Sequence, residues 1–256
     1  DLYGMSYVGK GADTVRIVRT NTADSTNAQQ QLWGYFSSTQ KANLLATKPP
    51  AGTTFNRTVV AAHHPVVGFI GLATLGTAKD MKDLLIKTKA EVYLTGHVHT
   101  RAITWVKNTL MVQTNTLGKP SILSPNSVYM LVGLDSTGPS IRPVPLSKGT
   151  TVKVSWPTTL ITTPAQADLG GKNPLAKNVA PGSAMTVRAL AFSKKGVTKV
   201  EVRVDSGSWA AMSSTAKPVW QATVTAPTAT GKRTLEVKTT SPEGTDTHKI
   251  KFLVGT

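Results

Sequence analysis

Four of the five histidines in this 256-residue chain form two close pairs, and each pair follows an apolar run. His63 and His64 come near the end of the segment VVAAHHP, and His97 and His99 close the segment YLTGHVH. Neutral imidazole binds Zn, Fe, Mn and Ni alike, so these pairs could ligate a metal without identifying it. A lone buried histidine is more often a hydrogen-bonded core residue, and either pair alone matches ordinary turns. The two pairs together favour a metal site.

The elements around the histidines predict that the two pairs meet at one edge of a sheet. Residues 57–62 suit a buried strand, a helix is predicted over 78–89, and residues 91–95 form the next strand. The carboxyl end of a buried strand holds its residues rigidly where α/β folds place active sites. Gly96 is expected to permit a sharp turn there. In an extended His-x-His the rings point to opposite sides, towards two metal ions or one metal ion and a substrate.

The first part of the chain is predicted to be a layered α/β domain. A strand is predicted over 14–19, and a helix over 28–46 could be capped by Asp24, Ser25 or Thr26. The order strand, helix, strand, helix, strand is typical of α/β layers. Further strand-like runs follow at 102–106, 109–113 and 128–134.

After about residue 146 the pattern changes to short β-rich runs separated by Gly and Pro turns, which favours an all-β sandwich. We therefore predict two domains, residues 1–148 and residues 149–256. Trp209 and Trp220 are predicted to pack in the second core, with a sugar-stacking platform as the alternative. His248 is predicted to lie on the solvated surface.

Composition excludes several classes of function. Cysteine is absent, which rules out disulfides, thiolate metal sites and cysteine nucleophiles. The net charge of +16 is spread along the chain and no aromatic residues interleave with basic runs, so specific nucleic-acid binding is not predicted. No stretch approaches 18 apolar residues, so no transmembrane segment is expected. The many Thr, Ser and Gly residues favour a secreted, extracellular or periplasmic protein.

The histidine segments also carry a family resemblance. VAAH followed by GHVH resembles the last two motifs of the calcineurin-like metallophosphoesterase superfamily, and QLW at 31–33 resembles the helix ahead of them. The resemblance implies the second half of a layered α/β/β/α sandwich over about residues 1–146. The segment 196–209 resembles an immunoglobulin-like module, which implies a β-sandwich of that type after it.

The same resemblance implies a phosphate-ester substrate and a binuclear centre of two divalent metal ions, such as Fe, Mn or Zn. In that family the two ions lie about 3–4 Å apart and activate a hydroxide for attack on phosphorus. Carried over to this chain, His63 and His97 would bind one ion and His99 the other. His64 would be the catalytic histidine, either behind the ligands or against the substrate.

Part of the family's pattern is missing. The chain contains no Asp-x-His, no Gly-Asp-x-x-Asp and no Asn-His motif. Without carboxylates to offset their repulsion, two divalent cations would be held poorly. Together with a start at Asp1 rather than Met, this predicts that an N-terminal half of the same protein, or a second chain, supplies the other ligands, and that this chain alone is inactive. The alternative is a non-catalytic extracellular structural or adhesive protein that reuses the scaffold and assembles through its β-sandwich.

Overall fold

The computed structural model describes residues 3–9, 11–23, 34–66, 78–114, 128–146 and 154–255. It divides the chain into two compact units, Asp1–Ser127 and Val128–Thr256. Strands account for 50% of the structure and helices for only 10%. The protein is therefore mostly β with several sheets, and the prediction of a layered α/β sandwich is wrong. No helix in the described ranges is long and apolar enough to cross a membrane.

The first unit contains a six-stranded sheet. The bounds of β1 to β6 are Gly4–Val8, Val15–Arg19, Arg57–Ala61, Val92–Thr95, Ala102–Val106 and Thr109–Gln113. Their spatial order is β1-β2-β3-β4-β6-β5. The strands β2, β3, β4 and β6 run parallel to one another, and β1 and β5 pair antiparallel at the two edges. Because the carboxyl ends of parallel strands share one edge, the loops that follow β2, β3 and β4 meet there.

Two short α-helices accompany this sheet in the described part of the chain, α1 (Ser38–Ala46) and α2 (Ala78–Lys87). Residues 28–33 of the helix predicted over 28–46 lie outside the described residues. In the described part, α1 begins at Ser38 because the Ser37 side chain accepts a hydrogen bond from the N–H of Gln40 and caps the helix there. Gly34, just upstream, has a non-helical φ of 78°. The expected caps at 24–26 and the segment 31–33 lie outside the described residues. Within the described residues, these helices of nine and ten residues cover only part of a six-stranded sheet.

The apolar core of the first unit lies between the sheet and these helices. In α2 the side chains of Met81, Leu84 and Leu85 are buried, because they recur at three- and four-residue spacing on one face. Lys41 of α1 forms ion pairs with Asp80 and Asp83 of α2. The buried cluster comprises Val18, Phe36, Leu44, Val60, Val66, Met81, Leu84, Leu85, Ala90, Tyr93, Val106 and Met111.

The second unit is a β-sandwich. The bounds of β7 to β16 are Val128–Asp135, Gly138–Pro145, Thr158–Thr163, Ala184–Phe192, Lys199–Val204, Ala210–Ala211, Ser213–Ala216, Val219–Thr225, Gly231–Ser241 and Gly244–Val254. Two four-stranded antiparallel sheets, β13-β14-β10-β9 and β12-β11-β15-β16, share one buried core, and β7 and β8 form a separate hairpin. Each inner face is built from alternate residues, as in Val187 and Ala189 of β10 or Ile250 and Phe252 of β16.

The second unit contains three residues whose environment was predicted from sequence: Trp209, Trp220 and His248. Trp220 packs against the core as predicted. The Trp209 ring instead contacts two cations, Arg203 and Lys238, each 4.4 Å from its centroid. The prediction of a solvated His248 is wrong: the residue is 8% exposed, and its Nδ1 accepts a hydrogen bond from the N–H of Ile161. His248 lies on the same face of β16 as the buried residues Ile250 and Phe252, because alternate residues of a strand point to the same side. The neighbouring Lys and Thr residues make this alternation hard to recognise in the sequence.

Candidate metal centre

Two histidine loops are tied together at the carboxyl edge of the six-stranded sheet. The loop after β3 carries His63 and His64, and the loop after β4 carries His97. The parallel pairing of the two strands continues beyond their ends, because Ala62 N–H donates to the carbonyl of Leu94 and Gly96 N–H donates to the carbonyl of His63, at 2.9 Å. The sheet itself therefore brings together residues that lie 34 positions apart.

The three histidine rings form one compact group. Nδ1 of His97 lies 3.1 Å from Nε2 of His63, and the His64 and His97 ring centroids are 4.3 Å apart. One nitrogen from each ring can be chosen so that all three lie within 4.8 Å of one another. His64 is buried, His97 is half-buried and His63 is exposed. The group thus opens to solvent on the His63 side.

His64 is oriented by one residue that follows β2 and one residue of β4. Its backbone N–H donates to Oγ1 of Thr22, and its ring Nδ1 lies 2.9 Å from the same oxygen. Thr22 follows β2 in the chain, and so belongs to the same carboxyl edge. The hydroxyl of the fully buried Tyr93, in β4, donates to the His64 carbonyl at 2.6 Å. Backbone and ring of His64 are therefore both fixed before any ligand binds.

The loop after β4 turns at its histidines and not at Gly96. His97 and His99 adopt left-handed backbone angles, with φ of 71° and 55°, so the segment is not extended as the sequence predicted. A Cβ at position 96 would lie 3.8 Å from Nδ1 of His63, which is an ordinary contact. Left-handed backbone costs a residue with a side chain about 1–2 kcal/mol, and such strain clusters at functional sites.

Electrostatics favour the neutral form of His63. Desolvation lowers the pKa of the His63 imidazole, and the electrostatic effect of the neighbouring His99 lowers that pKa further. Neutral imidazole presents the lone pair that a metal ion needs, whereas imidazolium repels a cation. His63 is therefore in its ligating form at neutral pH.

The three imidazoles could hold one metal ion. Two ligand nitrogens on a tetrahedral ion with bonds of about 2.0–2.1 Å lie about 3.4 Å apart, close to the His63–His97 separation. The group contains no carboxylate, so these residues do not fit a second ion beside the first. His99 is exposed and lies outside the group, while His64 lies inside it. The individual roles assigned to the four histidines from sequence stay predictions.

Thr22 and Tyr93 support this site, and neither role is predicted from the local sequence. Thr22 is 42 residues from His64 and has no motif around it, so only the pairing of β2 with β3 reveals it. Nothing in the sequence around Tyr93 distinguishes it from other residues of an apolar strand. Strand order is the signal that would have found both.

No protein-family model matches this chain, and no curated protein matches it either. Among solved structures, it is similar to GAP50, the anchor in the inner membrane complex of Plasmodium, with 12% identity over 56% of this chain and 50% of that one and a TM-score of 0.39. It is similar to a Staphylococcus aureus protein described as a 5'-nucleotidase, with 16% identity over 55% of this chain and 28% of that one and a TM-score of 0.30.

The fibronectin(III)-like modules of Clostridium thermocellum CbhA are a further similar structure, at 15% identity over 60% of this chain and 80% of theirs, with a TM-score of 0.30. The chain spans half or less of the length of GAP50 and of the nucleotidase. Likenesses at these scores do not identify a fold or a function. The candidate site therefore rests on its own geometry.

Proposed function

We propose that this protein is a metal-dependent hydrolase of phosphate esters, related to the calcineurin-like metallophosphoesterases. The observation that carries the proposal is the group His63, His64 and His97, whose ligand atoms lie within 4.8 Å of one another at the carboxyl edge of a parallel sheet. The VAAH and GHVH segments that build this group are the ones that resemble the family's motifs. The β-sandwich would be an appended module of the immunoglobulin-like type, and the protein would be exported.

A metal ion held by this group would polarise a phosphoryl oxygen and lower the pKa of bound water. The chain's own residues supply the frame for that chemistry. Thr22 and Tyr93 hold the ring and backbone of His64, and the sheet fixes His63 against His97. His63 is exposed to solvent, and the chain's net charge of +16 would attract an anionic substrate.

The histidine group lacks the carboxylate that a pair of ions requires. We propose that the N-terminal half of the family domain, in the same protein or in a second chain, supplies the remaining ligands. A peptide map of the native protein tests this, because an upstream or co-purifying segment should contain Asp-x-His and Asn-His motifs. A native protein of 27.1 kDa with nothing bound would instead favour the structural or adhesive alternative.

Hydrolysis of p-nitrophenyl phosphate and bis(p-nitrophenyl) phosphate by the native protein tests the function. Activity should vanish on chelation, return when Mn²⁺, Zn²⁺ or Fe²⁺ is added, and fall at least 100-fold in His97→Ala. Lys107→Ala, on the turn between β5 and β6, is the matched surface control and should retain full activity. Activity that survives both chelation and His97→Ala would contradict the proposal.

A further inference from the structure

Gln113 lies beneath both ends of the loop that carries His97. It is the last residue of β6, and its Cα pairs with Thr95, the last residue of β4, on one side. On the other side it pairs with Ala102, the first residue of β5. The loop 96–101 starts after Thr95 and ends before Ala102. Gln113 therefore pairs with the strand residues on both sides of this loop.

The side chain of Gln113 adds a third attachment, inside the loop. Its Nε2 donates to the backbone carbonyl of Thr100 and lies at the same distance, 2.9 Å, from Oγ1 of Thr100. A carbonyl only accepts, so the amide nitrogen must face Thr100 and the side chain has one possible orientation. Thr100 is buried, and it directly follows the two left-handed histidine positions.

Burying the side-chain amide of Gln113 is energetically unfavourable. Gln113 is 0% exposed, and its Oε1 has no hydrogen-bond partner among the described residues. A buried acceptor without a partner is destabilising, and an apolar residue of the same length would avoid that cost. The two bonds that Nε2 makes to the histidine loop offset that cost.

We propose that Gln113 is a positioning residue, which holds the loop 96–101 so that His97 points into the group formed with His63 and His64. The inference rests on the metal site proposed above. It predicts that Gln113 sets metal affinity without touching the metal, in the way that groups behind the ligands do in other metal sites.

The test compares Gln113→Met with Thr109→Val in the full chain. Methionine keeps the length of glutamine but cannot donate to Thr100, and it also removes the unpartnered oxygen. Thr109 is a matched control, because it is a buried polar residue at the opposite end of β6 and donates to the carbonyl of Ala90. Two quantities are measured in each variant: amide hydrogen exchange of peptides covering 96–101 without metal, and the Kd for Co²⁺.

In Gln113→Met, exchange over 96–101 should be about tenfold faster, as expected for the loss of about 1.4 kcal/mol of hydrogen bonding. Its Kd for Co²⁺ should rise about 10–100-fold. In Thr109→Val both quantities should stay at the native value. Native exchange over 96–101 in Gln113→Met, or equal changes in both variants, would overturn the proposal. If the native protein takes up no Co²⁺, the metal site itself fails, and the exchange measurement still decides whether Gln113 holds the loop.

Discussion

The Nδ1 atom of His97 lies 3.1 Å from Nε2 of His63. At this separation two neutral rings can share one proton, and a small opening would bring the two nitrogens to the spacing of two ligands on one tetrahedral ion. The contact depends on the bond from Gly96 N–H to the His63 carbonyl, which locks the two loops together. The site is therefore largely formed before metal arrives, and this reduces the ordering cost of binding.

Substituting His64 and His99 separately distinguishes two assignments of the ligands. The geometry places His64 in the group and His99 outside it, whereas the family resemblance makes His99 a ligand. We expect His64→Gln, which keeps a polar contact for Thr22, to raise the Kd for Co²⁺ at least tenfold. His99→Ala should change that Kd less than twofold. Calorimetric titration of the chain with Co²⁺ measures both, and the opposite ranking would support the family assignment.

Thr22→Val should loosen His64 without removing any histidine. The substitution keeps the shape of the side chain but abolishes both contacts with His64, the one to its backbone N–H and the one to its ring. We expect a 10–100-fold rise in the Kd for Co²⁺ and a loss of about 1 kcal/mol in the free energy of unfolding. Thr47→Val is the control, because Thr47 is an exposed residue whose hydroxyl bonds only within its own helix end. An unchanged Kd in Thr22→Val would show that Thr22 does not orient the ring.

Tyr93→Phe tests the support beneath the His64 backbone. Burial raises the pKa of the Tyr93 phenol far above its usual range, so the group stays protonated and donates to the His64 carbonyl. Removing the hydroxyl leaves that carbonyl without this donor, and we expect the free energy of unfolding to fall by about 1–3 kcal/mol. Urea denaturation followed by fluorescence measures the change. A variant as stable as the native protein would mean that the bond contributes nothing net.

The second unit should lose stability in mild acid through His248. Burial, and to a smaller extent the charge of Arg142, lowers the pKa of His248 to about 3, while the charge of Asp246 opposes that shift. In the unfolded chain the same group titrates near 6.5, so below that pH the unfolded state binds the extra proton. The contribution of neutral His248 to the free energy of unfolding is complete above pH 6.5. It is lost at about 1.4 kcal/mol per pH unit as the pH falls from 6.5 towards 3.

Denaturation at pH 7 and pH 5 measures this effect, with His248→Gln as the comparison. Glutamine can still accept from Ile161 N–H but does not titrate, so its stability should vary less over this interval. Asp246 does not contribute to this change. Burial, the largest single influence, would raise the pKa of its carboxyl, but hydrogen bonds and charge from Arg142, with hydrogen bonds from Thr159, together lower that pKa, so the group stays ionised at pH 5. If the free energy of unfolding fell equally between pH 7 and pH 5 in the native protein and in His248→Gln, His248 would not be the cause of the loss.

Local sequence determined the strands around the site and its histidines. The apolar run at 57–62 and the strand-like runs at 102–106 and 109–113 predict strands where the structure has Arg57–Ala61, Ala102–Val106 and Thr109–Gln113. A histidine pair after each of two buried strands indicates a metal group, since strand order alone brings parallel carboxyl ends together. The start of α1 at Ser38 was not determined in this way, because it depends on the hydrogen bond that the Ser37 side chain accepts from the N–H of Gln40.

Tertiary structure decided which side chains meet and which are buried. The buried position of His248 follows from its register on β16 opposite Val237, which lies in the sandwich core. Thr22 reaches His64, and Gln113 reaches Thr100, only because non-adjacent segments pair in one sheet. The left-handed backbone of His97 and His99 likewise lies in a loop whose two ends, Thr95 and Ala102, are held by pairing with the same residue of β6. Local propensity predicts none of these relationships, because each depends on contacts between residues far apart in the chain.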